Sequence, residues 1–219
     1  MVLKVVPATA ADANRAVAIG DIAYGPNPAN DILFPGPFPA TTGGDHPRAV
    51  ELAEVLRTDP TCRWTKVIDT DIEERADPDE DSMVAFSMWY IWETPPPPAP
   101  PRKWGPGTNP EACALFMGSM AERRNALFAG KKPYVYLKLL HTDPKHQRRG
   151  AASMLLKWGA DEADRLGLDS YLEASPDGKL LYEKRGFKEI ETLYTDLSPW
   201  GGPKDHPTTL MLRPAPGSQ

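Results

Sequence analysis

The chain has 219 residues, of which 41% are hydrophobic and 25% charged, with a formal net charge of −5 at pH 7. That composition belongs to a globular domain with a buried core, and it excludes an extended disordered chain and a basic face able to grip nucleic acid regardless of sequence. Two cysteines, Cys62 and Cys113, make no disulfide framework and no metal-ligand spacing, and neither a signal peptide nor an apolar run of about 18 residues stands out, so a cytoplasmic protein without membrane or metal is expected.

Leu3 to Val6 reads as a short strand, and Thr9 with Asp12 as a capping arrangement that opens a helix to about Tyr24. Gly25 to Gly44 is rich in Pro and Gly and reads as an irregular loop. Asp45 is placed to cap the next helix, whose Ala49, Leu52, Ala53 and Leu56 form one apolar stripe before Thr58-Asp59-Pro60. Strands follow at Arg63 to Asp69 and Met83 to Trp92. Between them, Asp71, Glu73, Glu74, Asp77, Asp79, Glu80 and Asp81 read as a solvated acidic connection, with a funnel for cations as the alternative.

Thr94 to Gly107 is too proline-rich for helix or central strand and reads as an exposed, stiff excursion, or else as a polyproline ligand for a partner. Asn109 to Ala129 reads as helix, with Gly130 as its stop. Tyr134 to Thr142 is a strand, ended by Asp143-Pro144. Beyond Gln147-Arg148-Arg149-Gly150-Ala151-Ala152, the spacing of Ala152, Leu155, Leu156, Gly159, Ala163 and Leu166 predicts an amphipathic helix closed by Gly167. A strand at Asp169 to Glu173, a helix carrying Tyr182, and strands at Phe187 to Leu197 and Thr208 to Arg213 complete the order β-α-α-β-β-α-β-α-β-α-β-β.

The turn before the long helix has a physical use. The first amides of a helix lack internal partners and carry about half a positive charge, so a helix entered through a glycine invites an anion. Gly150 removes the β-carbon that would block close approach, and Arg148 and Arg149 add charge, although an ordinary solvated helix entry has the same residues.

Four segments in order, Leu140-His141-Thr142-Asp143-Pro144, Gln147 to Ala152, Leu172-Glu173-Ala174-Ser175 and Leu181-Tyr182-Glu183-Lys184-Arg185-Gly186-Phe187, resemble the GNAT superfamily of acyl-CoA-dependent N-acetyltransferases. The pattern R/Q-x-x-G-x-G/A is met by Gln147, Gly150 and Ala152, and L-Y-x-K-x-G-F is met in full. The resemblance is specific over residues 134 to 196 and generic before that.

What the resemblance implies is one α/β domain over residues 1–219. Its mixed, mostly antiparallel sheet of about seven strands is splayed at a cofactor slot and flanked by helices, with 94–130 as a Pro-rich insertion. The cofactor would be acetyl-CoA, its pantetheine arm beside Leu140, His141 and Thr142. Its diphosphate would lie on Arg148, Arg149, Gly150, Ala151, Ala152 and Ser153 next to Gln147, with Ser175 standing where the family often has an asparagine. Gly178 likewise departs from the common alanine. An amide near His141 or Thr142 would polarise the acetyl carbonyl. Tyr182 would protonate the departing sulfur. Glu173, with a raised pKa, would take the amine proton directly or through water, with His141 as second choice. The resemblance implies transfer to a small-molecule or peptide amine by a monomer or homodimer, with a non-catalytic acyl-CoA-binding module as the alternative. The acceptor would meet Pro35 to Gly44, Trp89, Tyr90 and Trp92 as an aromatic wall, with core packing of alternate members of that strand as the alternative, and Pro199 to Pro207, while the extra segment from Glu93 to Gly130 would cover that cleft or serve a dimer contact.

Overall fold

A computed structural model describes residues 2–25, 27–39, 41, 44–75, 81–100 and 102–217. Asp77, Asp79 and Glu80 of the expected acidic connection lie outside the described residues, as do Ala40, Thr42 and Gly43 of the expected acceptor loop and Pro101 of the Pro-rich run. Seven strands form one sheet in the order β1-β2-β3-β4-β5-β7-β6. The pairs β1–β2, β2–β3, β5–β7 and β6–β7 are antiparallel. The strands are β1 (Leu3–Pro7), β2 (Cys62–Asp69), β3 (Met83–Trp92), β4 (Tyr134–Thr142), β5 (Ser170–Ala174), β6 (Lys188–Thr195) and β7 (His206–Arg213). The helices are α1 (Ala13–Tyr24), α2 (Pro28–Leu33), α3 (Pro47–Thr58), α4 (Thr70–Arg75), α5 (Pro110–Cys113), α6 (Ser119–Phe128), α7 (Ala151–Leu166) and α8 (Pro176–Glu183). Among the described residues no helix is long and apolar enough to cross a membrane.

The chain divides into two compact units. One comprises Met1–Tyr24, Ala40–Ile91 and Leu137–Asp161, the other Gly25–Pro39, Trp92–Tyr136 and Glu162–Gln219. In the first, β3 is buried along most of its length, as its apolar run requires, and Thr65, Ser87 and the Trp89 indole satisfy one another inside it through bonds of 2.7 and 2.9 Å. Thr9 opens α1 as the spacing predicts, its N–H donating to Asp12 at 2.7 Å through a short 3-10 turn. Asp45 does not cap α3. His46 does, its Nδ1 accepting from the Arg48 amide at 3.2 Å with Pro47 as first helical residue, while Asp45 takes the Asn14 amide at 2.6 Å. Ala49 and Ala53 of the α3 stripe are buried, and Leu52 and Leu56 pack beside them against Trp64, Phe86 and Met88.

The second unit holds the Pro-rich segment and its helix. The segment is largely exposed but not loose: the Asn125 side chain accepts from the Ala99 amide at 3.1 Å, and the Gly130 amide donates to the Pro96 carbonyl at 2.8 Å. The helix expected at Asn109 to Ala129 is continuous but changes pitch, with a π-turn over Ala114–Gly118 between α5 and α6. Gly130, at φ +65, ends it. Gly25 to Gly44 contains α2, capped by Asn27 and begun by Pro28, so that region is not wholly irregular. Ala29 and Leu33 of α2, Ala112 and Cys113 of α5, and Leu197 form a separate apolar cluster, against which Trp104 and Trp200 pack.

Candidate active site

In the first unit, the glycine turn is held from both sides by buried carboxylates. Asp143 caps the 3-10 turn Pro144–His146, accepting from the Lys145 amide at 3.0 Å, and its other oxygen takes Arg15 at 2.8 Å. Asp69, at the end of β2, takes Arg149 at 2.6 Å, and Arg149 also lies 2.8 Å from His146 Nδ1. Burial pushes both carboxyls up, but the arginines and the Asp71 and Lys145 amides outweigh it and hold both below the usual range. The Arg149 guanidinium is therefore committed to the protein, a use the sequence did not suggest. Arg148 is exposed at φ +60, the one non-glycine in the left-handed region among the described residues, and Gly150 follows at φ +91.

The first α7 hydrogen bond runs from the Met154 amide to the Gly150 carbonyl at 3.0 Å, so the amides of Ala151, Ala152 and Ser153 stand ahead of the helical ladder. Nothing lies within 4 Å of the place a Gly150 β-carbon would take. Gln147 is exposed in extended conformation beside them. At the end of β4, the Leu140 carbonyl accepts the Tyr24 phenol at 3.0 Å, and the buried Thr142 hydroxyl has no partner.

His141 points into the core. Its ring stacks on Phe86 at 5.4 Å and meets Tyr24 edge-on at 5.7 Å, and it faces Gly20, where a β-carbon would sit 3.4 Å away. Neither ring nitrogen has a hydrogen-bond partner, although the Ala16 backbone lies near enough to favour the charged form a little. Burial, reinforced by Arg48, lowers its pKa to about 3. An imidazole so placed is a packing group and a feeble proton acceptor, which speaks against His141, the second choice, as the base. Trp89 is likewise core rather than wall: it is 1% exposed, packs on Trp158 and fills the space above Gly159 of α7. Tyr90 packs on the cluster around Trp64.

In the second unit, Glu173 is the centre of a polar network. Its two carboxylate oxygens take Arg124 Nη1 and the Tyr136 hydroxyl, each at 2.6 Å, and Arg124 Nη1 also reaches the Tyr136 oxygen at 3.1 Å. The Arg124 and Glu173 side chains are only 13% and 9% exposed. Around them stand Trp92, Tyr134, Tyr136 and Tyr171, with Trp92 stacked on Tyr136 at 6.3 Å. Burial, with the Glu173 charge, pushes the Tyr136 and Tyr171 phenols up, which keeps them protonated. Arg124 and Tyr136 were not foreseen as site residues, because their partner lies far along the chain.

Tyr182, half-buried on α8, packs edge-on to Phe187 at 6.1 Å. Its ring occupies the space beside Gly178, where a β-carbon would come within 2.8 Å of Cε2. Ser175 precedes α8 as its exposed N-cap residue, in extended conformation and without a side-chain capping bond.

The family profile described as "Acetyltransferase (GNAT) family" matches residues 70–187, more than half of the chain. The chain belongs to that family. No curated protein matches it in sequence. Among solved structures, the mosquito arylalkylamine N-acetyltransferase like 5b resembles it with a TM-score of 0.64 at 13% identity, over 97% of this chain and 100% of that one. The histone acetyltransferase HPA2 and related acetyltransferase of Corynebacterium glutamicum has a TM-score of 0.58 at 20% identity, over all of both chains. Arabidopsis thaliana NAA60, solved in complex with a bisubstrate analogue, has 0.57 at 14%, over 99% and 100%. At such identities the likeness is one of fold, and it bears out the mixed, mostly antiparallel seven-stranded sheet.

Proposed function

We propose that the chain transfers an acetyl group from acetyl-CoA to a primary amine by direct attack in a ternary complex. The observation that carries this reading is the turn from Arg148 to Ser153, a family signature whose backbone is open, anion-seeking and rigidly buttressed. The fit is to a diphosphate. Three amides precede the first helical bond, and no side chain fills the space before Gly150. Solved relatives in complex with acetyl-CoA, among them Arabidopsis NAA60, support the choice of donor. The matched residues run through both compact units, which supports reading the chain as a single acetyltransferase domain.

Leu140, His141 and Thr142 contribute backbone to the thioester arm, and Gln147, Arg148 and the amides of Gly150, Ala151, Ala152 and Ser153 hold the diphosphate. Arg149 serves that end indirectly, through Asp69. Ser175 offers its hydroxyl to the arm. A neutral amine attacks the acetyl carbon, the carbon–sulfur bond breaks, the Tyr182 phenol gives its proton to the sulfur, and the proton lost by nitrogen passes to Glu173, directly or through water. The acceptor class is a small-molecule or peptide amine.

A thiol-release assay with acetyl-CoA against a panel of amines tests the reading, run beside thermal melts with CoA. Turnover in the parent and a kcat about 10- to 1000-fold lower in Tyr182→Phe, with acetyl-CoA affinity unchanged, are expected. CoA-induced stabilisation without thiol release on any amine would replace it with a binding-only module.

A further inference from the structure

Glu173 is paired more heavily than packing alone requires. A buried ion pair adds little to stability over apolar residues of the same volume, so a charged group retained in such surroundings points to use. Here both carboxylate oxygens are engaged at 2.6 Å, one by a guanidinium and one by a phenol, and the two donors are joined to each other at 3.1 Å. The guanidinium carbon also lies 4.4 Å over the Tyr136 ring centroid, which fixes the arginine by a second, independent contact. Three groups that bond one another in a triangle hold the carboxylate in one orientation.

The Tyr171 hydroxyl is buried beside this network: no bond of good geometry joins it to a partner, yet Glu173 acts on the phenol both as a charge and as a hydrogen-bonding neighbour. A carboxylate has about four acceptor positions, of which two are filled here by the partners named. A water or the acceptor's own N–H is the kind of group that would complete the set.

Arg124 comes from α6, which belongs to the segment expected to be an insertion on the fold, whereas Tyr136 and Glu173 belong to sheet strands. We propose that Arg124 is a positioning residue for the acceptor's proton transfer: together with Tyr136 it fixes the Glu173 carboxylate, which makes the inserted helix a working part of the enzyme. The assignment rests on the reading that Glu173 receives the amine proton. Arg124 acts through Glu173 and touches no substrate.

The test is a double-mutant cycle in the full chain, measuring kcat and both KM values for Arg124→Met, Glu173→Gln and the pair. Each single change is expected to lower kcat about 10- to 100-fold with KM for acetyl-CoA within about twofold, and the double variant to be no worse than the poorer single within about threefold. Arg124→Lys, which keeps one charge but not the planar fork, should recover part of the loss. Losses that multiply, or an Arg124→Met enzyme with parental kcat, would overturn the assignment. If Arg124→Met fails to fold because a lone carboxylate stays buried, Arg124→Lys, which keeps a cation beside Glu173, decides in its place: a parental kcat in it rejects the proposal, and a lowered kcat at unchanged KM for acetyl-CoA, made no worse by adding Glu173→Gln than Glu173→Gln is alone, upholds it. A parent chain that releases no thiol on any amine refutes the acetyltransferase reading and this assignment together, whereas an active parent with multiplying losses refutes only the assignment.

Discussion

Tyr182 and Gly178 show how a single methyl group can separate stability from activity. They are four apart on α8, so the tyrosine ring lies back over the glycine, and a β-carbon there would sit 2.8 Å from Cε2 and 3.5 Å from the hydroxyl. The ring edge is the mobile end of a side chain and can yield; the phenol then leaves its place. Gly178→Ala should raise helix propensity by as much as about 1 kcal/mol, and so keep or increase the melting temperature. Although the resembled family often has alanine at this place, the ring in this chain fills the glycine's space, so with Tyr182 as the proposed acid kcat should also fall by about 10- to 100-fold. Parental kcat in Gly178→Ala, at unchanged Tm, would show that the position of the ring is immaterial. The turn and Tyr182 could be singled out in the sequence because each lies in a short run of neighbouring residues. The Arg124–Glu173 pairing could not, because 49 positions separate its members and, although Glu173 lies in a marked segment, nothing local marks Arg124. The surroundings of His141 are illegible for the opposite reason: its neighbours in the chain resemble a site, while the faces it packs on, Phe86 and Tyr24, come from distant segments.

Among the elements, α7 carries the turn and depends on one close approach. Gly159 lies on its buried stripe, and a β-carbon there would overlap the fully buried Trp89 ring, which is wedged against Trp158 and anchored to Ser87. Unlike Tyr182, this ring has no room to give. Gly159→Ala should cost about 1–3 kcal/mol despite the gain in helix propensity, read as a lower denaturation midpoint at constant m-value. Unchanged stability would mean that the Trp89 indole can repack. The α7 stripe is legible from periodicity, as are β3 and β4, whose predicted limits agree with the structure. The two helices that sequence reading passed over, α2 and α4, are six residues each, too short for a repeating stripe, and α2 hides among prolines although Asn27-Pro28 is itself a start signal. The π-turn at Ala114–Gly118 leaves no trace in composition, because one widened turn does not alter which residues are apolar.

For the whole molecule, the shifted carboxyls and imidazoles make acid unfavourable in two separable ranges. Asp69, Asp143 and Asp169 are held below the usual carboxyl range, each pushed up by burial and pulled down further by its cation and backbone partners. A carboxyl with a depressed folded pKa contributes stability above its unfolded value, near 3.8, and loses it as pH falls through the folded value. His141 acts earlier. Its folded pKa of about 3 lies below the unfolded 6.5, so the unfolded chain takes up a proton that the folded chain refuses, and stability falls from pH 6.5 downward. Each pH unit in that range is worth about 1.4 kcal/mol for a fully shifted group, so on the order of 1–2 kcal/mol should disappear between pH 6.5 and about pH 5. His206, lowered by burial as well, adds in the same direction. Denaturant titrations at a series of pH values should therefore show stability declining well above the range where carboxylates protonate. In His141→Leu, which keeps the volume between Phe86 and Tyr24 without the titrating ring, that early decline should flatten while the later one, below about pH 4, persists. If the parent and the leucine variant lose stability in parallel from pH 6.5 to 5, the imidazole is not the acid-sensitive group, and its placement in the core would have to give way to one with access to water.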